Sequence, residues 1–412
     1  MWKLLKVVSL FLLLACGVSE QKKDSETNGS DKVAIDIKPS LSLIDGPSDA
    51  LSSLPYLTKR ADKLLMSWIE KSEDTAKFYF SEYDGGNWSE KSLIASGSDW
   101  FVNWADYPMI SAGDHGMMAH YLQKSAPDKF AYDVTVLLNF DDSWNDPFVV
   151  HQDGIQAEHG FVTTLVNDDN YQMAWLDGRH SAGGHDHGGG SMTLRTASVN
   201  AKTGIISEEM ELDDKTCDCC QTTGAMTATG PVFVYRDRSD LEIRDISIVR
   251  LVDGNWTAPK VIYQDNWKIA GCPVNGPRMD AFDDQLAIAW FSSPNNKSQV
   301  KVIFSNDAGE TFFEPILIDE SQPVGRVDLA MITKDKAIVS WLDMQTDEAV
   351  IKAQLVTPNG KLGDEIIVAR TSESRGSGFP QLEIVRGDVY LSWTAIEENN
   401  TKVKVAVLSE LQ

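Results

Sequence analysis

A short apolar run that ends in Trp or Tyr recurs along the chain at nearly constant spacing. The runs end at Trp68, Tyr121, Trp175, Tyr235, Trp290, Trp341 and Trp393. Successive aromatic residues in this series are 53, 54, 60, 55, 51 and 52 positions apart. A fixed period of this length indicates a repeat architecture, with one structural unit in each period.

Each unit has the same internal order of short strands and turns. An apolar run precedes the aromatic strand, as at 379–385, and another strand follows it, as at 300–304. A turn with an aromatic residue then leads to a last strand, as at 253–262. Four short strands per unit predict an all-β protein, a β-propeller of four-stranded blades. We count seven blades, or six if one unit is irregular.

The two ends of the repeat region complement each other. The last unit stops after its third strand, at 402–408, and the strand-like segment Val33–Ile37 has no blade of its own. We therefore expect the N-terminal strand to complete the last blade and close the ring. This places the propeller domain at residues 33–412.

The first 32 residues have a different character. Lys3 and Lys6 precede an apolar stretch, 7–14, that is too short for a permanent membrane helix. The stretch ends in Leu-Leu-Ala-Cys-Gly, which resembles the bacterial lipobox and implies lipidation of Cys16. We predict a lipoprotein signal peptide at 1–16, a flexible polar tether at 17–32 and export to the periplasmic or cell-surface side. The alternative, an ordinary secretory signal, also implies export.

The charge of the chain limits its partners. The formal net charge is −24 at pH 7. Nucleic acids and anionic membrane surfaces attract proteins with a basic footprint, so neither is expected as a partner. We expect contact with a membrane only through the lipid anchor.

One turn carries a family motif. Ser305–Phe312 matches the Asp-box pattern Ser-x-Asp-x-Gly-x-x-aromatic, and 84–88 and 253–256 are similar to degraded copies of it. In phase with the repeat, this motif resembles the sialidase-like superfamily of propellers and, within it, exported bacterial proteins classed as exo-α-sialidase-like. The resemblance implies a glycan or glycoconjugate partner, no cofactor, and glycosidase activity or glycan binding. The Phe-Arg-Ile-Pro motif and the Tyr–Glu pair of sialidases are not recognised, so a non-catalytic binding propeller is the alternative.

Polar residues with chemical potential concentrate in the loops of one predicted face, opposite the Asp-boxes. We predict the site at the axial mouth of that face. The candidate acid, base or nucleophilic groups are Asp106, Glu158, His159 and Asp237. The candidate substrate contacts are Trp104, Arg179, Arg236, Arg238, Asn275 and Arg326. The structural alternatives are a self-neutralising salt-bridge network around 236–245 and packing of Trp104 against its blade.

The cysteines admit three interpretations. Apart from Cys16, the chain has Cys217, Cys219, Cys220 and Cys272. An even number in an exported protein favours disulfides, and we prefer a bond from Cys272 to one of the other three. The first alternative is a periplasmic copper or zinc site of cysteines and histidines, the latter drawn from His159 or from the His185 and His187 loop. The second is free structural thiols.

Overall fold

The computed structural model describes residues 39–411, except 141–142, 182–189, 347 and 398–399. Several sequence predictions fall outside these residues: the signal peptide 1–16 with its Cys16, the tether 17–32, the strand Val33–Ile37, and His185 and His187. None of the described helices could span a membrane.

The described chain forms seven antiparallel sheets, which are the seven blades of a propeller. Strand β1 (Ser40–Ile44) comes first. Blade 1 consists of β2 (Ser52–Arg60), β3 (Lys63–Ser72), β4 (Thr75–Tyr83) and β5 (Ser92–Gly97). Blade 2 consists of β6 (Met109–Gly113), β7 (Gly116–Lys124), β8 (Tyr132–Phe140), β9 (Ser143–Trp144) and β10 (Phe148–Val149). Blade 3 consists of β11 (His159–Asn167), β12 (Asn170–Asp177), β13 (Thr193–Asn200) and β14 (Ile206–Asp213).

The remaining blades follow in the same way. Blade 4 consists of β15 (Thr223–Met226), β16 (Pro231–Arg236), β17 (Ile246–Val252), β18 (Asn255–Trp256) and β19 (Lys260–Tyr263). Blade 5 consists of β20 (Arg278–Phe282), β21 (Gln285–Ser292), β22 (Gln299–Ser305) and β23 (Ile316–Asp319). Blade 6 consists of β24 (Pro323–Thr333), β25 (Lys336–Gln345), β26 (Glu348–Thr357) and β27 (Gly360–Thr371). Blade 7 consists of β28 (Gln381–Val385), β29 (Asp388–Glu397) and β30 (Asn400–Ser409), and 3₁₀ turns lie at Pro294–Asn296 and Arg375–Ser377.

The outermost strand is split in blades 2 and 4. In both blades the interruption contains a proline, Pro147 or Pro259. Proline has no N–H to donate to the neighbouring strand, so the ladder stops there and resumes after it.

The N-terminal strand closes the ring, as predicted, but the strand is not the one expected. Strand β1 pairs antiparallel with β30, from Ser40 opposite Ser409 to Ile44 opposite Val405. The closing strand is therefore Ser40–Ile44 instead of Val33–Ile37. Both segments alternate in polarity, so the pattern alone does not choose between them.

The aromatic residue of each repeat lies in the second strand of its blade and is buried. In four blades the indole N–H donates to a buried or half-buried carboxylate. These pairs are Trp68–Glu70, Trp175–Asp177, Trp290–Asp265 and Trp341–Asp319, at 2.9, 2.8, 2.6 and 2.7 Å. The cations that pair with these carboxylates are Lys91, Arg179, Lys301 and Lys352. In these four blades a carboxylate and a cation thus complete the polar contacts of the tryptophan, which offsets the cost of burying its N–H.

The Asp-box forms the turn that its sequence predicts. Asp307 Oδ1 accepts the Thr311 N–H at 2.8 Å and the Ser305 hydroxyl at 2.8 Å. Gly309 has φ +84°, where a Cβ would be strained. Asp84 caps a similar turn through the N–H groups of Gly86 and Asn87. The turns between third and fourth strands therefore lie together on one face.

We predict that removing β1 weakens the ring without abolishing it. Leu41 and Leu43 are 39% and 69% exposed, so the strand contributes mainly backbone hydrogen bonds. A chain that starts at Pro47 should lose about 2–4 kcal/mol of unfolding free energy, at roughly 1 kcal/mol for each net bond. It should also aggregate through the exposed edge of β30. Urea unfolding measures the loss. A chain that starts at Pro39 retains β1 and should match the full chain; equal stability of the two truncated chains would contradict the closing role.

Candidate functional site

The innermost strands of all seven blades surround an axial cavity of about 320 Å³. Its walls carry hydroxyl, amide and charged groups from every part of the ring. The ionisable side chains that line it are Tyr56, Lys59, Arg278, Asp280, Asp328 and Glu383. A cavity of this size and polarity can hold a small polar ligand.

The acidic groups in this cavity also join neighbouring blades. Asp280 Oδ2 accepts the Met331 N–H at 2.8 Å, from blade 5 to blade 6. Asp328 Oδ2 accepts the Leu382 N–H at 2.7 Å, from blade 6 to blade 7. The ion pair between Lys59 and Glu383, at 3.3 Å, joins blade 1 to blade 7. These carboxylates satisfy inward-facing donors that would otherwise be left unpaired near the axis.

The loop between blades 1 and 2, residues 98–108, lies across the axis, and we call it the plug loop. Its Trp104 ring stacks on Phe379 of the 372–380 loop, with centroids 5.6 Å apart. Its Ala105 carbonyl accepts Gln221 Nε2 at 2.6 Å. Its Tyr107 hydroxyl accepts Arg278 Nη2 at 2.5 Å and Gln381 Nε2 at 2.9 Å.

One loop can contact residues of so many blades only where it crosses the centre of the ring. A small cavity of about 10 Å³ lies between plug-loop residues 105–107 and the residues of the blades below them. The predicted mouth on this face is therefore covered. We infer that the cavity opens on the Asp-box face, where the Lys59 side chain is 55% exposed.

Two of the predicted substrate-binding arginines, Arg236 and Arg326, are hydrogen-bonded to backbone carbonyls of the protein. Arg236 is 1% exposed and donates to the backbone carbonyls of Asn275, Arg244 and Phe291. Arg326 donates to the carbonyls of 373, 374 and 378 and lies over the Trp104 ring at 4.8 Å. Their donors are satisfied, which leaves the predicted role in gripping a substrate carboxylate without support.

The other predicted contacts have structural partners too. Arg179 makes a two-bond pair with Asp177, at 2.8 Å for both bonds. Arg238 pairs with Asp218 and Glu242. The Asn275 side chain accepts the Arg326 N–H at 2.7 Å and donates to the carbonyls of 273 and 324. The self-neutralising network that the sequence offered as an alternative is thus present around Arg238.

Two predicted acid or base groups, Asp106 and Glu158, meet through a residue that the sequence reasoning missed. The Tyr132 hydroxyl donates to Glu158 Oε1 at 2.7 Å, and the charges of both Glu158 and Asp106 act on it. Asp106 Oδ1 accepts the Phe161 N–H at 2.8 Å. Burial and the two carboxylates raise the pKa of Tyr132 well above its ordinary value, so its phenol stays protonated. This buried group fastens the plug loop to blades 2 and 3.

His159 belongs to a separate buried cluster of histidine and aspartate. Its ring stacks on His151 with centroids 3.8 Å apart, and its Nδ1 lies 3.1 Å from the Tyr132 carbonyl. Its Nε2 lies 3.2 Å from Asp153 Oδ2, and Arg179 Nη2 lies 3.0 Å from the same oxygen. Burial and the neighbouring His159 lower the pKa of His151 to about 4, so His151 is neutral at pH 7. The Arg179 guanidinium already supplies the positive charge that a metal ion would bring here.

Asp237, the fourth predicted acid or base group, lies apart from the other three. It follows β16 in blade 4 and accepts the Ser247 hydroxyl at 2.8 Å and the Arg238 N–H at 2.6 Å. The structure thus places Asp106 of the plug loop and Glu158 around Tyr132, and His159 in the separate cluster with His151 and Asp153. It does not bring all four predicted groups into one pocket.

The four cysteines of the described chain are free, so the preferred disulfide is not formed in this structure. Cys217 Sγ and Cys220 Sγ are 3.4 Å apart, well beyond the roughly 2.05 Å of a disulfide bond. The two cysteine loops are nevertheless neighbours, as predicted, because the Asn275 N–H of one loop donates to Cys220 Sγ of the other at 3.4 Å. His159 is not part of this group.

No family model and no curated protein matches the sequence. Solved structures do match the fold. The polysaccharide lyase Uly1 aligns with a TM-score of 0.53 at 9% identity, over 87% of this chain and 90% of that one. An ulvan lyase described as a new family of polysaccharide lyase aligns with a TM-score of 0.50 at 12% identity, over 75% and 80%. The endosialidase of phage phi92 aligns with a TM-score of 0.50 at 8% identity, over 90% and 68%.

The fold of this chain is therefore similar to that of these polysaccharide lyases and of the endosialidase. Identities near 10% establish the fold and leave the activity open.

We predict that Asp328 makes the ring less stable as the pH rises. Burial, opposed by Arg278, raises the pKa of Asp328 to about 6. A folded-state pKa above the unfolded value means that the stabilisation is complete below about pH 4 and is lost by about pH 6 to 7. This group should thus lower the unfolding free energy by roughly 2–3 kcal/mol over that range. Urea unfolding at several pH values measures the slope, and Asp328→Asn should make it less negative.

A second buried aspartate provides the matched control. Hydrogen bonds from Ser321 and Trp341, together with the Lys352 charge, outweigh burial and lower the pKa of Asp319. Its stabilisation is present at neutral pH and is lost as the pH falls. Asp319→Asn should therefore make the slope more negative below about pH 4, whereas Asp328→Asn should make it less negative between about pH 4 and pH 6. Equal changes in the two variants would contradict the assignment.

Proposed function

We propose that this protein is an exported, lipid-anchored propeller that binds glycans in its axial cavity. The observation that carries the proposal is the cavity itself, with hydrogen-bonding groups from all seven blades around about 320 Å³. Three structural neighbours are named as polysaccharide lyases and an endosialidase, which supports glycans as the ligand class. The ligand enters from the Asp-box face, because the plug loop covers the other one.

The charges in the cavity favour a neutral or basic sugar unit. Two cations, Lys59 and Arg278, face three carboxyl groups, those of Asp280, Asp328 and Glu383. A polyanionic glycan would gain little from such a wall, and the net charge of −24 opposes its approach.

Binding fits this cavity better than hydrolysis. Hydrolysis requires two carboxyl groups that are free to act on opposite sides of the glycosidic bond. Asp280 and Asp328 each accept a backbone N–H from the next blade, which fixes them in the wall. Of the predicted acid and base groups, Asp106 belongs to the plug loop and Glu158 precedes β11, and neither lines the cavity.

We predict that glycan affinity depends on the charged pair at the open end. A panel of glycans tested on the full chain should identify ligands, and Glu383→Gln should weaken the best of them about tenfold because it removes a charged acceptor. Calorimetry measures the affinity, and an assay for newly formed reducing ends detects cleavage. Glu320→Gln is the matched control, since Glu320 pairs with Lys297 outside the cavity. If no glycan bound, or if both variants weakened binding equally, the cavity would not be the glycan site.

We predict that Cys16 carries the membrane anchor. Cells supplied with labelled fatty acid should incorporate the label into the native chain, and Cys16→Ser should abolish it and release the protein into the soluble fraction, because the acyl chains supply the membrane affinity. Cys272→Ser is the matched control and should retain the label. A native chain that is exported without label would support the ordinary secretory signal instead.

A further inference from the structure

Two loops bring four sulfur atoms together on the plug-loop face. Cys217, Cys219 and Cys220 lie between β14 and β15, and one ligand atom of each lies within 4.8 Å of the others. Cys272 lies between β19 and β20, in a loop that contacts the first one, since the Asn275 N–H donates to Cys220 Sγ at 3.4 Å.

The backbone fixes these two loops against each other. The Gly276 N–H donates to Gln221 Oε1 at 3.1 Å, just after the cysteines of each loop. A Cβ at Gly276 would lie 2.1 Å from the Gln221 carbonyl oxygen, so only glycine permits this approach. The convergence of the sulfur atoms is therefore built into the fold.

The spacing of the sulfur atoms suits a shared metal ion. Thiolates bound tetrahedrally to one ion at about 2.3 Å lie about 3.8 Å from each other. The Cys217–Cys220 separation of 3.4 Å is close to that value. Among the described residues, the group of three sulfurs contains no histidine or carboxylate ligand. An all-sulfur set selects soft metal ions.

The surroundings stabilise thiolates. Arg244, which is 1% exposed, donates from Nη1 to Cys217 Sγ at 3.1 Å. The Asn275 N–H donates to Cys220 Sγ at 3.4 Å. Glu242 holds Arg244 Nη2 at 2.9 Å, so the guanidinium is fixed in place. Donors of this kind orient metal-bound sulfurs and offset their negative charge.

We propose that Cys217, Cys219, Cys220 and Cys272 form a site for one thiophilic metal ion, Cu(I) or Zn(II). Cys217 and Cys220 are buried ligands, whereas Cys219 is half-buried and Cys272 is exposed. The exposed sulfur gives the ion a route in and out. Three sulfurs suffice for Cu(I), and the fourth completes a tetrahedral shell for Zn(II). The site is independent of the glycan cavity, which opens on the opposite face.

Metal loading of the full chain tests the proposal. The protein is reduced under anaerobic conditions and offered Cu(I) or Zn(II) alone, followed by elemental analysis and titration of reactive thiols. We expect about one ion per chain and protection of the thiols at 217, 219, 220 and 272. Absorption spectroscopy at the metal edge should give sulfur neighbours at about 2.3 Å.

Variants identify the ligands and the ion. Cys217→Ser is avoided because that residue is fully buried. Cys219→Ser should weaken either ion at least tenfold, and near-ultraviolet circular dichroism checks that the variant is folded. Cys272→Ser should weaken Zn(II) much more than Cu(I). Cys16→Ser is the matched control and should leave the metal content unchanged.

Two results would overturn the metal site. One is a reduced chain that retains no ion and keeps four reactive thiols. The other is a native chain, isolated without reductant, whose mass shows two disulfides and whose reduced form binds no ion. Loss of glycan binding with normal metal content would affect only the proposed glycan function.

Discussion

Seven strands that converge on one axis must satisfy their polar groups in a space with little water. The propeller meets this constraint with side chains that cross from one blade to the next. Asp280 and Asp328 accept backbone N–H groups of the following blade, and Lys59 pairs with Glu383 where the first and last blades meet. Because an unpaired buried donor costs about 1–3 kcal/mol, the Asp280 and Asp328 contacts add to the apolar packing that holds the blades together.

The same constraint explains why many polar side chains of the loops bond to other protein groups and do not line a ligand pocket. The plug loop closes one end of the axis and needs partners in the blades that it crosses. Arg326 supplies a guanidinium under Trp104, and Arg278 supplies one to Tyr107. A guanidinium whose donors meet backbone carbonyls, as in Arg236, has little left for a ligand. What remains open is the other end of the axis, which the loop residues do not reach.

The sequence predicts the blades well because each blade has a buried aromatic residue in its second strand. Each buried Trp or Tyr marks a second strand, and the period counts the blades directly. The closing strand was placed seven residues too early, since 33–37 and Ser40–Ile44 present similar alternation and only the pairing with β30 separates them. Local pattern therefore fixes the number of blades more firmly than it fixes the register of the seam.

The candidate site was harder to predict because it depends on contacts between distant residues. Tyr132, Asp106 and Glu158 come from three different segments of the chain. Neither their spacing nor the composition predicts that they lie together. The cavity is likewise lined by a few residues from each of the seven blades, so no single sequence motif contains them. The sequence indicates a role for Trp104 in the plug loop. The position of this loop across the axis follows only from its contacts with other blades.

The cysteines show what composition can and cannot decide. An even number of cysteines favours disulfides if the chain is exported, but four thiolates on one ion give the same count. Geometry separates these cases, because a disulfide draws two sulfurs together and leaves the other pairs apart, whereas an ion holds all of them at similar distances. Three mutually close sulfurs, with a buried guanidinium on one of them, favour the shared ion. The plug-loop face would then hold a metal while the cavity at the other end of the axis holds the ligand, so the two functions need not share a single side chain.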